Sequence, residues 1–174
     1  VSDRGRFGQT HLHASEQGTE ALGYIVENAV LGRALLQGLG AYPNVTLLSD
    51  TDVQRVDMIS GGSQLTLAGG ESITTALLVL ADGGRSGLAQ QLGIRQQREE
   101  YDSVALVTQV EMDREHLHWA YERFSDHGPV AFLPLQQRHF AVVWTLPPDD
   151  CERILALPDP LFAEQLQQKI GYRC

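Results

Sequence analysis

The sequence predicts an α+β chain, with a strand–helix region that carries a small antiparallel meander, followed by an antiparallel sheet with flanking helices. Three observations predict it. Leu31, Leu35 and Leu39 recur at helical spacing, with Val30 and Ala34 beside them, and make one apolar stripe. Paired glycines at Gly61-Gly62 and Gly69-Gly70 punctuate short β-type runs. Beyond Val104 the apolar residues alternate with polar ones, the period of a half-buried strand.

In chain order, a first strand is expected over Gln9 to Ala14, then a loop over Ser15-Glu16-Gln17-Gly18. The leucine stripe sets a helix over Asn28 to Leu39, closed by Gly40 and Pro43, which cannot continue it. Val45 to Leu48 reads as a short strand. Asp52 to Met58, Gln64 to Ala68 and Ser72 to Thr75 form the meander around the two glycine turns. Leu77 to Leu80 is apolar without alternation, as in a strand buried on both faces. It runs into the turn Ala81-Asp82-Gly83-Gly84 and a short helix over Ser86 to Leu92. Strands are then expected over Val104 to Met112, His118 to Phe124, Val130 to Leu135 and Phe140 to Leu146, with Gln136-Gln137-Arg138 turning between the last two. Pro147-Pro148 ends the strands, and helices fit Asp149 to Leu155 and Pro160 to Ile170. The division between the two parts falls near residue 95.

Composition narrows the function. The 13 Lys and Arg against 22 Asp and Glu give a formal charge of -9, which disfavours a nucleic-acid backbone or anionic lipid as partner. The longest apolar run, Ala76 to Ala81, is far short of the roughly 20 residues that span a bilayer. Cys151 and Cys174 are too few and too far apart for a disulfide framework, so a reducing cytoplasm is expected. The chain opens on Val1 without a signal-peptide pattern and reads as a piece of a longer protein.

The stretch Leu77-Leu78-Val79-Leu80-Ala81-Asp82-Gly83-Gly84-Arg85-Ser86 is the strongest local feature. Glycines let a ligand approach the backbone, a carboxylate can accept ribose hydroxyls, and Ser86 can cap the next helix. The same residues also suit a plain strand–turn–helix corner with Asp82 as its turn residue.

This stretch resembles the Asp-Gly motif of the flavin-dependent aromatic hydroxylases, the family of para-hydroxybenzoate hydroxylase. Asp82, Gly83 and Ser86 match it position by position; Ala89 stands where many members carry Arg. Val1-Ser2-Asp3-Arg4-Gly5, Leu22-Gly23 with Val26-Glu27-Asn28, Glu122-Arg123-Phe124 and Gly128-Pro129-Val130-Ala131-Phe132-Leu133-Pro134 are similar to stretches of the ubiquinone-biosynthesis branch, in the same order. The resemblance implies that residues 1–95 are a partial FAD-binding region and 96–174 a substrate-side sheet with C-terminal helices. It implies FAD contacts at Asp82, Gly83, Ser86, Asn28 and Val53, with Asn28 equally able to serve as a helix N-cap. It implies NAD(P)H as reductant, a flavin hydroperoxide as oxidant, and a polyprenylated phenol as substrate, with no catalytic side-chain nucleophile. Contact with a biosynthetic complex or the periphery of the inner membrane would follow from such a substrate. The family's glycine loop for the FAD pyrophosphate, G-x-G-x-x-G, is absent from this sequence, so the chain by itself is expected to bind FAD weakly and to be inactive.

Tyr121, Arg123 and Pro134 are the candidate substrate-lining residues. An aromatic ring suits a phenol and a guanidinium a phenolate, while cross-strand packing, with Arg123 solvated at an edge, is the plainer explanation of each residue taken singly. Trp119 shares their side if His118 to Phe124 is one regular strand. His11-x-His13 and His116-x-His118 could pair on a strand face, but no third ligand is spaced for a metal, and none is expected. The alternative function is a non-catalytic sheet module that binds a small ligand or a protein.

Overall fold

The computed structural model describes residues 1–171. In chain order its elements are β1 (Ser2–Asp3), a 3₁₀ turn (Ala14–Gln17), α1 (Asn28–Leu39), β2 (Val53–Ile59), β3 (Gly62–Leu67), β4 (Ser72–Thr75), α2 (Leu88–Gln91), β5 (Val104–Glu111), β6 (Tyr121–Phe124), β7 (Val130–Pro134), β8 (His139–Leu146), α3 (Pro148–Leu155) and α4 (Asp159–Ile170). The content is the expected α+β, with antiparallel sheets and four helices. Two compact units divide it: Val1–Leu35 together with the residues from Glu100 onward, and Leu36–Glu99.

The first unit is built on a five-stranded sheet in the order β1-β6-β7-β8-β5. All its pairings are antiparallel except β1 with β6, where Ser2 faces Arg123 and Asp3 faces Phe124. β8 alternates strictly between buried and half-buried residues, so one face of the sheet is sealed. On that face lie Leu106, Val130, Phe132, Phe140, Val142, Trp144 and Leu146, and Ile154, Leu166 and Ile170 of α3 and α4 cover them. Val130 and Val142 are fully buried, and the rings of Phe132 and Phe140 meet edge to face at 5.8 Å. Both helices carry a proline in the first turn, Pro148 in α3 and Pro160 in α4, where a missing N–H costs nothing, and α3 carries Asp149 and Asp150 where the helix dipole favours acid. α4 ends on Gly171, left-handed at φ 76°.

The second unit holds the meander β2-β3-β4, antiparallel throughout, with Val56, Leu67 and Ser63 buried. Gln91 ties α2 to it: its side-chain amide donates to the Gln54 carbonyl at 3.0 Å, and its oxygen accepts the Val56 amide at 3.3 Å.

Four expectations differ from the structure. Gln9 to Ala14 is not a strand; only Gln9 bridges to Ser2, and the chain then curls into the 3₁₀ turn. Val45 to Leu48 is irregular. Leu77 to Leu80 is not a strand, with Leu77 77% and Val79 73% exposed, because no neighbouring strand among the described residues offers the ladder a doubly buried strand needs. The strand expected from His118 begins only at Tyr121, because Leu117 and His118 sit at positive φ and make a turn. Cys151 is unbridged, and Cys174 lies outside the described residues.

Candidate functional site

At the Asp82 turn the carboxylate organises its own loop. Its Oδ1 accepts the Gly84 amide at 2.9 Å, and its Oδ2 accepts the Ser86 amide at 3.2 Å and the Ser86 hydroxyl. The Ser86 hydroxyl and the Gly84 amide hold the Asp82 carboxyl below the ordinary carboxylate range, since each bonds to its charged form. Gly83 and Gly84 both adopt the left-handed conformation, at φ 67° and 73°, and no neighbour lies within 4 Å of where a Cβ would be on either. The turn therefore presents bare backbone and a charged carboxylate to an open side. The helix that follows is capped by Gly87, and Ser86 makes only a long contact to the Leu88 amide at 3.4 Å, so the serine serves Asp82 more than the helix.

Asp82, Gly83 and Ser86 are thus brought together, and Val53 opens β2 of the same unit, opposite Leu67. Gln91, which sequence reasoning did not single out, is what fixes α2 to β2 behind the turn. A lone glutamine in a polar stretch carries no signal for such a bridge. Asn28 belongs to the other unit as the first residue of α1; the Glu27 carbonyl before it accepts the amides of Val30 and Leu31. The apolar stripe of α1 is uncovered among the described residues, with Leu31 43% and Leu35 63% exposed.

Tyr121, Arg123 and Pro134 share one face of the sheet, because Tyr121 pairs with Phe132, Arg123 with Val130 and Pro134 with Phe140. It is the face backed by α3 and α4. The Tyr121 ring packs on Phe140 with centroids 6.0 Å apart. The Arg123 guanidinium reaches the end of α4, where Nη1 donates to the Lys169 carbonyl at 3.2 Å. Trp119 stands apart from them, between the rings of His11 and His13 at 5.4 and 5.3 Å. The opposite face carries small and aliphatic residues in register: Ala131 opposite Val143, Leu133 opposite Ala141, and Val107 opposite Val143. The alternation of β8 already separates Ala141, Val143 and Thr145 from the buried set, which is the signal that distinguishes the faces. Among the described residues no three His, Cys, Asp or Glu side chains come together to hold a metal ion.

The fold recurs in known flavoproteins. The chain superposes on a probable FAD-dependent monooxygenase of Pseudomonas aeruginosa, PqsL, with a TM-score of 0.65 at 21% identity, over 80% of this chain and 39% of that one. It superposes on the flavin-dependent halogenase CmlS with a TM-score of 0.63 at 20% identity, over 83% of this chain and 28% of that one. No family model matches the sequence. At 20–21% identity these likenesses are ones of fold. In sequence, the chain is similar to the ubiquinone-biosynthesis hydroxylases. It is 34% identical over 159 residues to the ubiquinone hydroxylase UbiL of Rhodospirillum rubrum, and 34% identical over 158 residues to the 3-demethoxyubiquinol 3-hydroxylase of Escherichia coli, in each case over 91% of this chain. The human mitochondrial ubiquinone biosynthesis monooxygenase COQ6 is 30% identical over 82% of the chain. The chain spans 37% of the length of UbiL and 39% of the Escherichia coli enzyme. No helix among the described residues is long and apolar enough to cross a membrane.

Proposed function

We propose that this chain is part of an FAD-dependent monooxygenase that hydroxylates a polyprenylated phenol in ubiquinone biosynthesis, with NAD(P)H as reductant. The observation that carries the reading is the 34% identity, maintained over 91% of the chain, to two hydroxylases of that pathway. The oxygen and electron chemistry would be supplied by the bound FAD. The chain's own residues position and shield.

The Asp82 turn fits such a cofactor. Its glycines leave the backbone open, and the carboxylate keeps its charge with one lone pair, on Oδ1, beyond those used by Gly84 and Ser86. In this reading Asp82, Gly83 and Ser86 hold the cofactor, with Val53 and Asn28 contributing from β2 and the start of α1. Residues 1–95 then carry the flavin-side role and 96–174 the substrate-side role. Tyr121, Arg123 and Pro134 support the substrate sheet from its helix-backed face. The opposite face, carrying Ala131, Leu133, Ala141 and Val143, is the wall toward the ring in this reading, because the helix-backed face is taken up by a packed core. A prenylated substrate brings the protein to a membrane surface or a biosynthetic complex from the cytoplasmic side.

The test is an FAD titration of the full-length protein, followed by flavin fluorescence. Asp82→Ala is expected to weaken binding by more than about 1 kcal/mol, the scale of a lost hydrogen bond to a charged group. Unchanged affinity in a folded variant removes Asp82 from the cofactor site. A full-length protein that binds no FAD favours a ligand- or protein-binding sheet module instead.

A further inference from the structure

On the helix side of the first unit, a cleft of about 230 Å³ opens over Trp144 and Ile154. Four basic side chains line it, Arg4, His127, Arg153 and Lys169, against the single acid Asp150, in a chain whose formal charge is -9. Asp150 is already engaged by Arg153 at 2.9 Å. Lys169 Nζ donates to the Ser125 hydroxyl at 2.5 Å and lies 5.9 Å from the centroid of the Trp144 ring. Partial burial holds the Lys169 ammonium below the usual lysine range, and the Arg4 and Arg123 guanidiniums push it the same way, against Asp126 and Asp150.

The hydrogen-bond inventory is lopsided in the same direction. Trp144 is 6% exposed, yet its indole Nε1 is buried without an acceptor, and so is Nε of Arg123, whose guanidinium reaches the Lys169 carbonyl. Both orphaned groups are donors. A buried donor left unpaired costs roughly 1–3 kcal/mol, so native proteins keep few of them. Packing alone explains an aromatic floor. It does not explain why four basic side chains and the unpaired indole N–H of Trp144 gather where Asp150 is the one acid in the lining. What the cleft lacks is an acceptor-rich, negatively charged group of modest size, with an apolar portion that can lie on the indole.

We infer that this cleft binds a small molecule bearing an oxyanion, a phosphate or carboxylate, on an aromatic or short aliphatic body, at a site separate from the proposed flavin turn. The site stands on its own geometry and does not depend on the flavin reading.

The chain has two tryptophans, so Trp119→Phe leaves the Trp144 indole N–H as the single indole signal in a proton–nitrogen correlation spectrum. Phenyl phosphate is titrated into that variant, with inorganic phosphate, benzoate and sodium chloride at matched ionic strength in parallel. The expected result is a saturable shift of the Trp144 signal with phenyl phosphate, and an apparent Kd at least tenfold weaker in Lys169→Gln. Arg153→Gln, whose side chain is 61% exposed and therefore safe for folding, is expected to weaken binding severalfold. Saturation by benzoate with an equal Kd identifies a carboxylate-bearing ligand, and saturation by inorganic phosphate identifies the phosphate group itself as the recognised part. A shift that grows linearly and equally with sodium chloride, or a Kd that neither variant changes, overturns the proposal.

Discussion

Asp82 and Gly171 are two residues on which the local geometry makes specific demands. The Asp82 carboxyl is held below its ordinary value of 3.8 by the Ser86 hydroxyl and the Gly84 amide. Its bonds are therefore fully formed above that value and are lost only as pH falls through the depressed one. The Gly84 and Ser86 amide resonances, followed by acid titration, should move with a midpoint below 3.8, and Asp82→Asn should abolish the transition. Gly171 ends α4 at φ 76°, and a Cβ there would lie 1.7 Å from Arg123 Nη1. Gly171→Ala should cost about 1–2 kcal/mol from backbone conformation alone, and more from displacing Arg123, read as a lower urea midpoint with an unchanged slope. The Asp82 turn was legible in the sequence because an aspartate and two glycines after an apolar run are a turn signal. The attachment of Arg123 to α4 was not, since it joins residues some fifty positions apart and leaves no local pattern.

At the scale of elements, what the sequence disclosed tracks where each element finds its partner. α1, β4, β5, β7, β8, α3 and α4 fall within a residue or two of their expected bounds: β5, β7, β8, α3 and α4 because their periodicity is read against a face that the same chain buries, α1 by its stripe and its stops, and β4 by the glycine turn before it. Leu77 to Leu80 has the composition of a central strand but no neighbouring strand among the described residues, so hydrophobicity overstated its regularity. Trp119 was misplaced because two consecutive positive φ values cannot be read from Leu and His, which rarely adopt them. The face of the sheet that each strand buries is the firmest element-level feature. Phe132→Ala, at 2% exposure and in ring contact with Phe140, should destabilise the first unit by about 3–5 kcal/mol in denaturant unfolding. Val107→Ala, 69% exposed on the opposite face, should cost much less, within about 0.5 kcal/mol if no partner covers it.

Taken whole, the molecule shows apolar surface that the described residues do not cover: the stripe of α1, and Leu77 and Val79 at 77% and 73% exposure. The chain matches under two-fifths of the length of its ubiquinone-hydroxylase relatives. Val79→Lys should therefore leave the stability of this chain unchanged within about 0.5 kcal/mol, yet cost several kcal/mol in the full-length protein if that segment is covered there. Equal effects in the two contexts would mean that the run stays exposed in both. The site proposals follow the same division, since a cofactor loop of the G-x-G-x-x-G type is absent from this sequence and no spacing within it could have announced one.

The pairing of β1 with β6 has a consequence for the order in which the chain assembles. Strands β7 and β8 meet through a short turn, and β6 and β7 through a slightly longer one, so those pairings close small loops quickly. Ser2 must find Arg123 across about 120 intervening residues, a closure whose entropic cost is met before any contact rewards it. The edge strand should accordingly zip on last during refolding and detach first under mild denaturant. The Arg4 amide, bonded to the Phe124 carbonyl at 2.9 Å, would then exchange its proton well before the amides of β8, although both belong to one sheet.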